Sequence, residues 1–476
     1  MSDSIGDKAT SGVVWTSVDR FLTMGLQFIV NLVLARLLLP SDFGTIGMLA
    51  IFIAVSNTLI DGGFASALIQ KKEPTQTDYS TIFFWNVGLA VVIYTVLFLM
   101  APWVASFFRL PELRDVLRAI GLFVILSAIY SVQMTRLRKQ LQFKKLAIVN
   151  IVSYCLAGIT GVTMAYRGFG AWSLVAQQVT GAALIVLILF ALTRWVPSLE
   201  FSKSSMKELF GFGAYILAAN LLQEICKNFQ GIIIGRRFSA AQMGYYTQAQ
   251  KMDTVTSYSI PQIIVTVMYP VYSSIQDECE RFNKIVAMNV RVIAYIVFPM
   301  LSLLILLAEP LLIGLYGAKW EASVPYYQIL CVGGMFVCLQ NVNFFAVAAK
   351  GQSKALFRWS VYKWSFLLVA VLSGSMFGMT GLMWGMVMSN FNIYMVNACL
   401  LQRYSGYKVA DQLRSLVPMT MSCIIALALS RVVQVAFEWH YVVCAVVFGV
   451  TYLLLSIRMQ AAAETLTLFK RLIKKA

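Results

Sequence analysis

Long apolar windows dominate the chain, each about 20 residues or more, separated by short clusters of Gly, Pro and charge. Inside several windows the polar residues follow a pattern. In WTSVDRFLTMGLQFIVNLVL, Thr16, Arg20, Thr23, Gln27 and Asn31 recur at spacings of four, three, four and four, which places them on one face of a helix. Around LLQEICKNFQGIII the same stripe returns with Asn220, Glu224, Lys227 and Gly231. The windows are too long for barrel strands, so the expected elements are helices. About fourteen are predicted, centred near residues 25, 55, 93, 124, 156, 183, 219, 258, 297, 335, 366, 391, 424 and 449. The longest stretches expected to be soluble, 194–207 and 403–414, are short.

Composition identifies the solvent. The 476 residues are 59% hydrophobic and 12% charged, with a mean hydropathy of +0.75. A water-soluble domain of that balance could not cover its own surface, whereas lipid demands it. In lipid only helices and closed barrels satisfy every backbone group. The expected fold class is therefore an all-α polytopic membrane protein. The net charge of +17 would suit a nucleic-acid binder, but no soluble basic domain exists to carry such a function. Lys and Arg gather instead in alternate loops: Lys71 and Lys72; Arg136, Arg138, Lys139, Lys144 and Lys145; Arg194, Lys203 and Lys207; Arg281 and Lys284; Lys350, Lys354 and Arg358; Arg403 and Lys408. The opposite loops hold few, among them Arg109, Arg167, Arg236, Arg237 and Lys319. That asymmetry predicts cytoplasmic N- and C-termini and an even number of spans. The eight Cys are scattered without metal-ligand spacing, so neither disulfides nor a metal are expected. The N-terminus lacks the pattern of a cleaved signal peptide. His440, the single His, is expected at an outer helix end as a bystander.

The chain also repeats itself. ARLLLPSDFGT (35–45) aligns without gaps on GRRFSAAQMGY (235–245), with Arg36 on Arg236 and Gly44 on Gly244. Each copy spans the turn between the first two helices of a half. The prediction is two parallel six-helix lobes around a central cavity, residues 1–200 and 201–403, followed by helices 13 and 14 (404–460) and a basic tail, 461–476. An even number of helices per half makes the repeats parallel.

Charge inside a span costs roughly 2.5–3.5 kcal/mol on insertion scales, so such residues normally face a bundle interior or water. Among deep positions the bases Arg20, Lys227, Lys251, Arg291 and Lys363 outnumber the acids Asp61, Glu224 and Asp253. A cationic cavity attracts anions, and Arg and Lys are the usual partners of phosphate. Blander readings stand beside this one. Glu224 and Lys227, spaced i,i+3, could neutralise each other, Lys363 and Arg236 could snorkel to headgroups, and amides such as Gln340, Asn343, Asn390 and Asn397 could tie helices together.

The stretches GFASALIQKKEPTQTDYSTIFFWN (63–86), GFGAWSLVAQQ (168–178), IIIGRRFSAAQMGYYTQAQKM (232–252) and YPVYSSIQD (269–277) resemble the Wzx-type polysaccharide exporters. These are lipid-linked oligosaccharide flippases of the multidrug/oligosaccharidyl-lipid/polysaccharide superfamily, and the nearest branch is the colanic acid exporters. The resemblance covers most of the first nine helices. It implies fourteen helices in two lobes with a cationic cavity. The implied cargo is an undecaprenyl-pyrophosphate-linked oligosaccharide repeat unit, moved from the cytoplasmic to the periplasmic leaflet of a bacterial inner membrane for exopolysaccharide, capsule or O-antigen synthesis. The chain departs from the pattern at Gln230 and Gln248, where members carry Asp and Arg.

The expected substrate-binding residues are thus Arg20, Lys227, Lys251, Arg291 and Lys363, with Asp61, Glu224 and Asp253 as candidates for ion coupling. No cofactor is expected beyond a sodium or proton gradient. Expected partners are the polyprenyl-pyrophosphate-linked oligosaccharide, the bilayer and polysaccharide polymerase machinery. The competing reading is a multidrug or small-molecule exporter on the same fold, although a drug-cation antiporter should show acids in excess. An enzyme of the same pathway would need an aqueous catalytic domain, which the short loops do not supply, and no nucleotide-binding motif is present.

Overall fold

The computed structural model describes residues 2–258, 268–437 and 441–458, so His440 and the basic tail 461–476 lie outside the described residues. Among the described residues regular structure is entirely helical. Among the described residues, eleven segments are long and apolar enough to cross a membrane, and one of them, Ser353–Ser405, contains two helices. This is a multi-pass membrane protein. The chain divides into two compact units, Met1–Gly244 and Tyr245–Ala476.

In the first unit the helices are α1 (Ser2–Leu37), α2 (Pro40–Asp61), α3 (Phe64–Gln70), α4 (Gln76–Phe108), α5 (Leu113–Ile120), α6 (Leu122–Lys139), α7 (Phe143–Tyr166), α8 (Ala171–Thr193) and α9 (Lys203–Arg237). The punctuation residues end these helices for identifiable reasons. Helix α2 stops at Gly62, which takes the left-handed conformation (φ 53°) that a residue with a Cβ resists. Thr75 caps α4 by accepting from the Asp78 N–H, and the Asp78 carboxylate accepts in return from the Thr75 N–H at 2.8 Å. Lys71 closes this corner with an ion pair to Asp78 at 3.2 Å, and the Lys139 ammonium donates to the carbonyls of Ile69 and Lys71 at the end of α3. Met134 and Leu137 of α6, Leu146 and Val149 of α7, and Ile185 and Leu189 of α8 share one buried cluster.

The segment 194–207 is not a free loop. Ser202 caps α9, which starts at Lys203, and residues 195–202 lie along the start of α4. Trp195 donates from Nε1 to Gln76, Gln76 donates to the Val196 carbonyl, and the N–H groups of Ser198 and Ser202 donate to the hydroxyls of Ser80 and Thr81. Three polar side chains on two turns of α4, Gln76, Ser80 and Thr81, therefore satisfy a backbone that would otherwise need water.

The two copies of the repeat meet. Helix α10 (Ala240–Asp253) begins within the first unit, and its first turn lies against that of α2. A Cβ on Gly44 would sit 1.8 Å from the Ala240 carbonyl oxygen, and a Cβ on Gly244 would sit 1.8 Å from that of Pro40. Only glycine permits this backbone approach at either position. Arg236 anchors its own copy by donating to the Phe107 carbonyl at 2.7 Å and stacking over the Phe107 ring.

In the second unit, α10 ends in a π-helical turn, Thr254–Tyr258, and is followed by α11 (Cys279–Leu306), α12 (Ala308–Tyr316), α13 (Val324–Ala349), α14 (Ser353–Gly374), α15 (Gly378–Ser405), α16 (Val409–Phe437) and α17 (Tyr441–Arg458). Helix α13 is central. It packs on α11 and α15, and buried residues such as Leu330, Val337, Cys338, Leu339, Val342 and Ala346 occupy nearly every face. The polar stretch 403–414 shrinks to three residues, 406–408, because α15 runs to Ser405 and α16 starts at Val409. Of the fourteen expected helices, twelve fall on separate helices among α1–α8 and α11–α17, and the one near 219 is α9. The one near 258 runs partly outside the described residues.

Candidate functional site

The candidate residues fall into two sets, one per unit. In the first unit, α1 packs against α7 through the face that carries Asp19. The Asp19 carboxylate accepts from Asn150 on α7 at 3.0 and 3.2 Å and from the Thr23 hydroxyl at 3.2 Å. With Asp19 turned into this packing, the neighbouring Arg20 points elsewhere, and its side chain is exposed, as are Thr16 and Gln27 on the same stripe. In the sequence Asp19 stands next to Arg20 but off its stripe, and so points elsewhere. Its i,i+4 relation to Thr23 was a visible signal, but Asn150, 131 residues away, was not.

Helix α9 shows the same arrangement. Asn220 and Lys227 are exposed and Glu224 is half-buried. Lys227 Nζ lies 3.8 Å from Glu224 Oε1, with 52% of the Lys227 side chain and 31% of the Glu224 side chain exposed. Asn228 donates to the other Glu224 oxygen at 3.2 Å and to the Glu224 carbonyl at 2.9 Å. Gln230 is buried and donates to the Lys227 carbonyl. The carboxylate thus has two partners on its own helix, while the ammonium keeps half of its surface open. Asp61 is the last residue of α2, exposed, immediately before the glycine turn.

In the second unit the groups are treated differently. Lys251 on α10 is exposed, and Asp253 is buried and accepts from the Ser257 hydroxyl in the π-helical turn. Arg291 on α11 is half-buried. Lys363 departs furthest from the expected open cationic face. Only 5% exposed, it donates to Asn397 Oδ1 at 3.0 Å and lies 5.8 Å from the Phe344 ring. Asn397 in turn donates to the Gln340 carbonyl at 3.1 Å. Next to it, Asn343 and Gln412 exchange a pair of amide hydrogen bonds at 2.8 and 3.2 Å, and the Tyr394 hydroxyl donates to the same Gln412 oxygen. Four helices, α13 to α16, are joined by this buried array. It is the amide glue that the sequence raised as the bland alternative, and Lys363 belongs to it. Asn343 and Gln412 had no local signal to pair them, being 69 residues apart.

The structure therefore separates exposed cations (Arg20, Lys227, Lys251) from buried polar groups (Asp253, Lys363). It brings Glu224 together with Lys227. Among the described residues no group of three His, Cys, Asp or Glu side chains could hold a metal ion. An exposed polar face on a membrane-spanning helix cannot rest on lipid at acceptable cost, so it must be wetted. Wetted Arg20 and Lys227, each on a helix of the first unit, have the chemistry to meet an anionic, hydrated solute.

Known proteins agree with this picture at the level of fold and family. The lipopolysaccharide biosynthesis protein WzxC of Escherichia coli K12 is 26% identical over 392 residues, covering 81% of this chain and 79% of its own. The succinoglycan biosynthesis transport protein ExoT of Rhizobium meliloti is 26% identical over 399 residues, covering 83% and 79%. Among solved structures, the lipid II flippase MurJ in an inward closed conformation superposes with a TM-score of 0.70 at 11% identity, covering 94% of this chain and 99% of its own. An inward-facing multidrug resistance MATE family transporter superposes at 0.61 and 14% identity, covering 83% and 98%. These likenesses in structure show an all-α polytopic membrane fold. Residues 33–325, more than half of the sequence, match the polysaccharide biosynthesis protein family, and the chain belongs to that family.

Proposed function

We propose that the protein is a flippase that carries an undecaprenyl-pyrophosphate-linked oligosaccharide repeat unit from the cytoplasmic to the periplasmic leaflet of a bacterial inner membrane, for surface polysaccharide synthesis. The observation that carries the reading is the open, cationic polar face on α1 and α9 of a member of the polysaccharide biosynthesis family. A lipid-linked saccharide presents a pyrophosphate and a hydrated sugar head, and wetted Arg and Lys match both. The relatives named for polysaccharide and succinoglycan biosynthesis, and the likeness in fold to a lipid II flippase, support this class of cargo.

In mechanism, Arg20, Lys227 and Lys251 meet the pyrophosphate and sugar head while the binding face is exposed alternately to the two sides of the membrane. Arg291 supports the lining from a less open position, while Lys363 ties helices together in the buried amide array. A cargo that bound one state far better than the other would trap it, so several moderate contacts serve better than one deep ion cage. A sodium or proton gradient drives the cycle through Asp61, Glu224 or Asp253, with Glu224 favoured because it is half-open and paired with a proposed cargo contact. Both termini are cytoplasmic, residues 1–200 and 201–403 are the two moving lobes, and a polysaccharide polymerase consumes the product. The protein performs transport, without bond-making chemistry.

The test is mass spectrometry of lipid-linked oligosaccharides in cells depleted of the protein. Polyprenyl-pyrophosphate repeat units that accumulate on the cytoplasmic side support the reading and identify the sugar. An unchanged pool with normal surface polysaccharide overturns it and points to small-molecule export on the same fold.

A further inference from the structure

A pocket of about 190 Å³ lies in the first unit where α6 ends, α7 begins and α8 ends. Gln133, Arg136, Gln142, Lys145, Thr193 and Trp195 line it. The volume is below the roughly 300–1,000 Å³ of a typical small-molecule site, and it suits a small polar head. All three helices are candidate spans ending at this point, so the pocket lies at the depth of lipid headgroups. The nearby Lys144, 5.5 Å from the Trp15 ring, gives the same basic-aromatic signature of an interface.

Its chemistry is directional. Gln133 is 1% exposed, and its carbonyl oxygen accepts from the Thr193 hydroxyl at 3.2 Å, while its Nε2 is buried without a hydrogen-bond partner. Arg136 is held with its guanidinium 5.8 Å from the Trp195 ring, and the Trp195 indole is committed to Gln76. Lys145 adds a second positive charge, and no carboxylate lines the pocket among the described residues. Gln142 spends its amide N–H on Gln140 at 2.9 Å and leaves Oε1 buried without a donor. Buried orphaned polar atoms are costly, and a donor and an acceptor in one small pocket are both satisfied by a ligand that offers the reverse.

We propose that this pocket binds a phosphate ester bearing a neighbouring hydroxyl group, with its oxyanion held by Gln133, Arg136 and Lys145 and its hydroxyl donating to Gln142. Two sources share that chemistry: the headgroup of a glycerol-based anionic phospholipid and a soluble phosphate ester. Basic pockets between membrane helices at the headgroup level commonly hold the former.

The test uses the full chain in detergent, wild type and the R136Q/K145Q variant, with K145Q alone as a control because that side chain is exposed and its loss should leave folding intact. Native mass spectrometry reads retention of phosphatidylglycerol against phosphatidylcholine, and calorimetry reads binding of sn-glycerol 3-phosphate. Two lost charge-assisted contacts should weaken the preferred ligand by at least about tenfold in the double variant and by a smaller factor in K145Q. A loss confined to phosphatidylglycerol supports the lipid source, and a loss confined to glycerol phosphate supports the soluble one. Equal binding of both probes by wild type and variants overturns the proposal.

Discussion

Helix α9 and the α13–α16 bundle carry the same vocabulary, Lys, Asn and Gln within apolar spans, and use it in opposite ways. On α9, Lys227 is half-exposed, and its ion pair with Glu224 and the Asn228–Glu224 bond are local, within four residues. In the bundle, Lys363 is buried, and its contacts and those of its neighbours join residues 18 to 69 apart. The difference separates two answers to one physical problem. A polar group at bilayer depth must be either wetted or satisfied by protein. The wetted answer leaves the group available to a solute, and the satisfied answer fixes the helices to one another.

This contrast can be broken by experiment. The largest effect is expected for Lys227→Glu, which places a second carboxylate beside Glu224 on the proposed cargo face. Like-charge juxtaposition costs several kcal/mol, so export should fall by about a hundredfold or more. Surface polysaccharide yield in a complemented null strain, normalised to membrane protein abundance, measures it. Wild-type export would remove α9 from the cargo path. Arg20→Ala on the repeat-mate stripe should likewise reduce export, by about tenfold, with normal abundance.

Much of the first answer was legible in the chain. A stripe at i,i+3 and i,i+4 identifies a polar face from spacing alone, and Thr16, Arg20 and Gln27 are all exposed on it. The helices themselves follow from apolar windows of membrane length. The second answer was not legible, because Asn343 meets Gln412, and Lys363 meets Asn397, only through the packing of separate helices. The segment 194–202 read as a loop for a related reason. Its polar residues look solvent-bound until Ser80 and Thr81 of α4 are seen to receive them.

In the bundle the expected readout is stability rather than export. Asn343→Ala leaves Gln412 buried with an unpaired donor, which should cost about 1–3 kcal/mol and lower the midpoint of thermal unfolding in detergent. The double variant Asn343→Leu/Gln412→Leu removes both polar groups and should recover part of that loss, as a double-mutant cycle would reveal. Strict additivity of the two single effects would show that the pair is not coupled. The smallest effect is expected for Glu224→Gln. An ion pair this exposed contributes less than about 1 kcal/mol, so the unfolding midpoint should barely move. A marked change in the sodium or pH dependence of export by the same variant would assign Glu224 to coupling, and an unchanged dependence would exclude it.

The crossing of Gly44 and Gly244 has a further consequence. Gly44 touches the residue at 240 and Gly244 touches the residue at 40, and 44 and 244, like 40 and 240, are equivalent positions 200 residues apart in the two aligned stretches. A contact in which i meets j and j meets i is the isologous signature of a two-fold dimer. Within one chain, the two aligned stretches meet here in that same reciprocal pattern. Arg and Gly are the residues the copies still share, and the reason for Gly is geometric. A side chain at either position must displace backbone belonging to the other aligned stretch.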